Sequence, residues 1–323
     1  MITIKLHTDG DVVNQALPLT EISEVIAKGD QLVWVDAYQP TTDEIALLQE
    51  EFSLHPLAIE DAVIRHERPK VEQFDDFLLI IFYAMECDPI DHAISVHQVS
   101  IFAGRGYVLT LHNATLPEFD AIEQRWVTHR EQIRAHLPAV LVYSLLDALV
   151  DGYLPIIDDL SDRIDDIEDS VFERFDTEAL QHIFGLKRDL LTMRKVLTPE
   201  RDVLNLLMRR DTPVYNDEAA RYFQDIYDHL LRVLDSIDTF RDLLSSALES
   251  YLSVQSNRMN QVMKTLTASS IILMMMSLIA GIYGMNFLHM PELQWHYGYF
   301  MSLGLMGMVA LVLGLVFKKR DWF

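Results

Sequence analysis

The sequence predicts an α+β cytosolic domain, then long helices, then two C-terminal transmembrane helices. Three observations carry that prediction. Residues 1–260 hold 22 Lys and Arg against 47 Asp and Glu, whereas from Thr265 to Phe317 the one formal charge is Glu292. Strand-like apolar runs are confined to the N-terminal 135 residues or so. Beyond Pro213 neither Gly nor Pro recurs until Gly281.

The opening "MITIKLH" reads as a strand rather than a signal peptide, so the bulk of the chain is expected to stay in the cytosol. Further strands are expected in "LVWVDAY" (32–38), "FLLIIFYAM" (77–85) and "YVLTLH" (107–112), with "FAGRGY" (102–107) as a Gly-containing hairpin turn. Short helices between them start at two capping boxes, Thr41 with Glu44 and Thr115 with Glu118. From about Leu137 everything reads as helix, with turns near Thr198-Pro199 and Thr212-Pro213. In "IIDDLSDRIDDIEDSVFE" (156–173), Ile156, Ile157, Leu160, Ile164, Ile167 and Val171 form an apolar stripe opposite an acidic face that is assigned no specific site. Val214 to Ala280 is then one uninterrupted span of 67 residues, as a helix about 100 Å long.

Composition narrows the function. The acidic excess of the soluble part repels nucleic acid and anionic lipid and attracts cations. A lone cysteine, Cys87, is expected to exclude disulfides and cysteine-based zinc sites. No H-E-x-x-H, P-loop, G-x-S-x-G or Rossmann glycine pattern is present, so an enzyme is not expected.

Leu266–Tyr283 and Gly298–Phe317 are each about 20 residues of apolar or small side chains, enough to cross about 30 Å of hydrocarbon. Lys318, Lys319 and Arg320 follow the second, Arg258 and Lys264 precede the first, and the loop 284–297 has neither Lys nor Arg. Positive-inside bias therefore puts both termini in the cytoplasm, with Trp295, Tyr297 and Tyr299 as an outer aromatic belt and Trp322 with Phe323 as an inner one.

Along the last turns of the long helix, Asn260, Met263, Thr267, Ser270, Met274, Ser277, Gly281 and Gly284 alternate in spacing between 3 and 4, one seam of period 3.5. The seam is polar, small or Met, while Ile271, Ile272, Leu273, Leu278, Ile279 and Ile282 between are lipid-like. Small residues also let helices pack closely. The competing reading is a water-lined pore built from copies of the seam, which makes an oligomer obligatory. Its uncharged oxygens can hydrogen-bond a hydrated Mg²⁺ without trapping it, and Met263, Leu266 and Met274 would be apolar constrictions.

"YGMNF" at the end of the first membrane helix, then "MPEL" and the ending "KKRDWF", resemble the CorA family of magnesium and cobalt transport proteins. The likeness extends through "HPLAIEDAVIRHERPKVEQFDDFLLIIFYAM" (55–85), "YSLLDALVDGY" (143–153) and "YFQDIYDH" (222–229). What the resemblance implies is a homopentameric funnel in the inner membrane: a cytosolic α/β domain (1–135), antiparallel cytosolic helices (136–213), a pore-lining stalk helix (214–283), an outward loop (284–297), a peripheral membrane helix (298–317) and a basic-aromatic tail (318–323). It implies Gly284, Met285 and Asn286 as the selectivity loop; Glu292, the one charge in the loop, fits as a nearby attractor rather than a ligand. It also implies regulatory divalent ions between subunits, one at Asp61 with Asp225 of a neighbour, another among Glu60, Asp147, Asp151 and Asp228. The spacing agrees: Asp147 and Asp151 share a helical face, as do Asp225 and Asp228, and like charges so placed repel unless a hard cation takes their oxygens.

The implied cargo is Mg²⁺, with Co²⁺ and Ni²⁺ as alternative ions. ZntB-type relatives carry zinc on the same scaffold but tend to depart from Gly-Met-Asn, and His289 and His296 near the mouth keep a softer ion open. A third reading is an acidic cytosolic module merely anchored by its C-terminus.

Overall fold

The computed structural model describes residues 1–323 except 9–10, 15–16, 29–30, 65–66, 118, 120–121, 123–136, 174–177, 210–216, 287–289, 292–294 and 323. The chain divides into two compact units, Met1–Ser170 with Asp176–Ser245 and Val171–Phe175 with Ser246–Phe323.

The first unit is built on a sheet of β1 (Ile2–Thr8), β2 (Asp11–Asn14), β3 (Leu32–Tyr38), β4 (Lys70–Gln73), β5 (Phe77–Cys87), β6 (Ile94–Gly104) and β7 (Tyr107–His112), in the order β2-β1-β3-β7-β6-β5-β4. Every pairing is antiparallel except β3 with β7. The nine consecutive residues Phe77–Met85 are all buried, because both faces of β5 are covered. Arg105 and Gly106 make the expected hairpin turn, Gly106 supplying a φ of 83° that other residues adopt at a cost. Gly104, at the turn's entry, sits against the Tyr107 ring, where a Cβ would come within 2.2 Å.

Three short helices, α1 (Ile22–Lys28), α2 (Thr42–Glu51) and α3 (Pro56–Val63), lie between β2 and β4. The Thr41 capping box is formed: Glu44 N donates to Thr41 Oγ1 at 3.3 Å and Thr41 N to Glu44 Oε2 at 2.8 Å. The Thr115 box needs Glu118, which lies outside the described residues. At α3, His55 caps the helix through Nδ1, which accepts from Leu57 N at 3.2 Å, and Pro56 occupies the first turn where its missing N–H costs nothing.

α4 (Leu137–Asp151) packs on β5, β6 and β7 and is followed by α5 (Tyr153–Glu173) and α6 (Glu178–Leu207), the latter against β4 and β5. On α5 the stripe Ile156, Ile157, Leu160, Ile164 and Ile167 is buried as expected. The turn expected at Thr198-Pro199 is absent, since α6 runs straight through Pro199. An internal proline costs a helix roughly 3 kcal/mol. Here burial of Leu197, Val203, Leu204 and Leu207 outweighs it. The turn expected at Thr212-Pro213 lies outside the described residues.

Next to Pro199, Glu200 is fully buried, accepting from Tyr83 N at 2.9 Å. The Tyr153 hydroxyl lies 2.6 Å from Tyr83 O and 3.1 Å from Glu200 Oε2. The hydroxyl's single proton serves the carbonyl, so a protonated Glu200 completes the chain as donor. Burial holds this carboxyl well above its ordinary value, outweighing the support that the Tyr83 N–H and the Tyr153 hydroxyl would give its charged form. The unfolded chain ionises Glu200 at the ordinary value, so this contribution is complete below that pH and is lost as pH rises towards the folded value. Between about pH 5 and about pH 8 the melting temperature of Glu200→Gln should therefore fall less than that of the native chain; parallel curves from thermal melts would sink the assignment.

α7 (Asp217–Tyr283) is one unbroken helix, and α8 (Gly298–Lys319) follows it. Both contain windows long and apolar enough to cross a membrane, 6% and 11% buried. A third apolar stretch, Pro138–Ser170, has its most apolar window 72% buried, which marks that window as core rather than a membrane span.

Candidate metal and ion-conduction sites

Carboxylates from two helices meet an imidazole in the first unit. On α7, Phe223, Ile226, Leu230, Val233 and Ile237 are buried at alternating spacings of 3 and 4, which leaves Asp225 and Asp228 outside the buried stripe and His229 half-buried at its margin. α4 presents Asp147 and Asp151 one turn apart, and their oxygens lie within 4.8 Å of a His229 nitrogen and of each other. His229 Nδ1 is 3.8 Å from Asp151 Oδ1 and Nε2 is 3.9 Å from Asp225 Oδ1. Nδ1 is buried and makes no hydrogen bond. A ring nitrogen in that state among carboxylates fits a divalent ion, and its presence suits Co²⁺ or Ni²⁺ at least as well as Mg²⁺, which prefers oxygen.

The other expected ligands stand apart from this group. Asp228 accepts from Gln224 Nε2 at 2.9 Å, and Glu60 is exposed. Asp61, on α3, is held by Lys70 Nζ at 2.8 Å, and the same ammonium reaches Glu72 at 3.0 Å and Glu67 at 3.6 Å. Burial lowers the Lys70 pKa, but its hydrogen bonds to Asp61 and Glu72 win and the net shift is upward. A metal at Asp61 therefore has to displace a firmly charged lysine. His229 escaped the sequence reading, although it closes the quoted "YFQDIYDH" and lies four residues after Asp225. That spacing was the available signal.

In the second unit, Asn260, Met263, Leu266, Thr267, Ser270, Met274, Ser277, Gly281 and Gly284 are all exposed. The residues with partial or full cover are Thr265, Ala268, Ser269, Ile271, Ile272, Met276, Ile279 and Tyr283. Most seam positions sit two residues from a covered one, about 200° around the helix, so the seam faces away from the chain's own packing. Thr265 Oγ1 bonds Trp322 O at 3.0 Å, and Trp322 stacks on Phe317 with centroids 5.2 Å apart, tying the tail to α7. The helix ends where Gly284 N reaches Ala280 O at 2.9 Å, and a Cβ on Gly284 would stand 3.2 Å from that carbonyl. Met285 and Asn286 follow, exposed. Trp295, Tyr297 and Tyr299 are more than half exposed. His289, Glu292 and Phe323 lie outside the described residues.

A model of the family described as CorA-like Mg²⁺ transporter protein matches residues 29–319. The chain belongs to the CorA-like Mg²⁺ transporter family. It is 40% identical over 281 residues to the cobalt/magnesium transport protein CorA of Thermotoga maritima, spanning 87% of this chain and 80% of that one. The complete structure of the CorA magnesium transporter from Methanocaldococcus jannaschii matches with a TM-score of 0.84 at 26% identity, over 100% of this chain and 99% of that one. The cytoplasmic domain of ZntB from Vibrio parahaemolyticus matches at a TM-score of 0.62 and 10% identity over 79% of this chain and 99% of that one, a likeness of fold alone. CorA membership agrees with the α+β fold and with the missing catalytic motifs, the family being one of transporters.

Proposed function

We propose that the chain assembles as a homopentamer in the cytoplasmic membrane, both termini inside, and conducts Mg²⁺ inward, with Co²⁺ and Ni²⁺ as alternative cargo. The observation that carries this is the uncharged seam from Asn260 to Gly284, exposed on the side of α7 away from its covered face and running into Gly284-Met285-Asn286. Two membrane helices per chain cannot enclose a pore, so copies of α7 must line it together. Asn, Thr and Ser oxygens then contact the waters of the ion, binding it weakly enough to let it leave. A divalent ion moving inward gains about 4 to 5 kcal/mol per 100 mV of negative-inside potential, so no nucleotide site is needed.

Regulation is assigned to cytosolic Mg²⁺ at Asp61 and Asp225 of adjacent subunits, and to a second ion among Glu60, Asp147, Asp151 and Asp228, with His229 added to that set. Bound ions offset carboxylate repulsion and hold the ring closed; depletion lets the stalks separate.

The reading is tested with the purified chain in liposomes, measuring Mg²⁺, Co²⁺, Ni²⁺ and Zn²⁺ flux separately. Potential-driven Mg²⁺ flux is expected. Zinc flux without magnesium flux would favour the ZntB-like alternative, and no flux at all the anchored module.

A further inference from the structure

A second cluster lies at the C-terminal end of β5 and shares no residue with the sites assigned above. β5 ends in Cys87, the following turn carries His92, and α5 presents Asp159; one ligand atom from each lies within 4.8 Å of the other two. His92 Nδ1 is 3.0 Å from Asp159 Oδ1, buried, and without a hydrogen bond. Cys87 Sγ is 3.8 Å from Asp159 Oδ2. Ligands about 2.0–2.3 Å from a tetrahedral metal stand about 3.3–3.8 Å from one another, so three ligand atoms already within 4.8 Å of each other have to close by about 1 Å at most to share one ion.

The surroundings hold the three donors in place. Asp88 Oδ1 accepts from Ile90 N at 2.7 Å and Asp88 O from His92 N at 2.9 Å, fixing the turn, and His92 itself has a φ of 56°. Arg163 Nη1 sits 3.4 Å from Asp159 Oδ2 and 3.5 Å from His92 O, while Nη2 reaches Asp189 at 3.6 Å. Arg163 thus occupies one carboxylate oxygen and leaves the other for a metal, the way outer partners orient ligands. We propose that Cys87, His92 and Asp159 form a site for a borderline divalent ion, Co²⁺ or Zn²⁺, with water in the fourth position. Mg²⁺ is excluded by chemistry, since it demands oxygen ligands and a thiolate offers none. The expectation that one cysteine precludes such a site counted thiolates alone; a mixed set needs only one. Burial, then the Asp159 charge, raises the Cys87 pKa, so loading the site releases a thiol proton.

The test is Co²⁺ titration of the full-length chain in detergent, read by the thiolate-to-cobalt charge-transfer band. Cys87 is the single cysteine, so the band reports this site and no other. The native chain should show a band saturating at one Co²⁺ per chain, erased by Zn²⁺ and untouched by excess Mg²⁺. Cys87→Ser should abolish it, and His92→Ala and Asp159→Asn should each weaken the affinity at least about tenfold. As a check independent of the variants' folding, Zn²⁺ but not Mg²⁺ should slow alkylation of Cys87 in the native chain. No band, a band displaced by Mg²⁺, an affinity unchanged in both His92→Ala and Asp159→Asn, or alkylation indifferent to Zn²⁺ would each overturn the proposal.

Discussion

Mg²⁺ uptake is expected to fall at least about 100-fold in Asn286→Ala, with the protein still folded and inserted. In the proposed pentamer a ring of Asn carboxamides meets the hydrated ion at the outer end of the seam. Removing it forfeits several hydrogen bonds of about 1 kcal/mol each, and about 1.4 kcal/mol is tenfold. Asn286 is exposed just past the helix terminus at Gly284, so truncating it leaves no cavity and unpairs no buried group. The measurement is Mg²⁺ entry into liposomes beside the native chain, with size-exclusion profiles as the folding control. An anchor that does not conduct has no use for this carboxamide. Unimpaired flux in the variant would remove the selectivity loop from the mechanism.

What could be read in the sequence divides by range. The strands β3, β5 and β7, the Thr41 capping box and the hairpin at Gly106 depend on neighbours a few residues away, and each appears where expected. The seam is likewise local, because its period is written along one helix. Features made by distant residues were not legible. Pro199 reads as a helix stop until α6 is packed on β4 and β5 with Glu200 buried beneath it. Lys70 claims Asp61 across nine residues of irregular spacing, and His229 meets Asp147 and Asp151 from a separate helix. Cys87 meets His92 and Asp159 only when a turn and α5 come together, which no count of cysteines can register.

Two substitutions at Asp225 should both abolish the response to cytosolic Mg²⁺, yet drive flux in opposite directions. Asp225→Asn removes the charge that the proposed inter-subunit ion bridges, so the ring loses its clamp and flux should stay high as internal Mg²⁺ rises. Asp225→Lys puts a cation where the metal would sit, facing a neighbour's Asp61, and should hold the ring closed even when Mg²⁺ is withdrawn. The geometry adds a condition. Asp61 already pairs with Lys70 at 2.8 Å, so both metal and introduced lysine compete with an ammonium within the same subunit. A weak, readily reversed clamp is the consequence, which suits a sensor that must release as cytosolic Mg²⁺ falls. The mechanical link is written in α7 itself: Asp225 and Asp228 precede Asn260 and Met263 by 35 residues each, five heptads on one unbroken helix. The check is flux against internal Mg²⁺ for the native chain and both variants. A native-like inhibition curve in either variant would separate Asp225 from gating, while equal flux in the two would show that the charge placed there does not set the open and closed states.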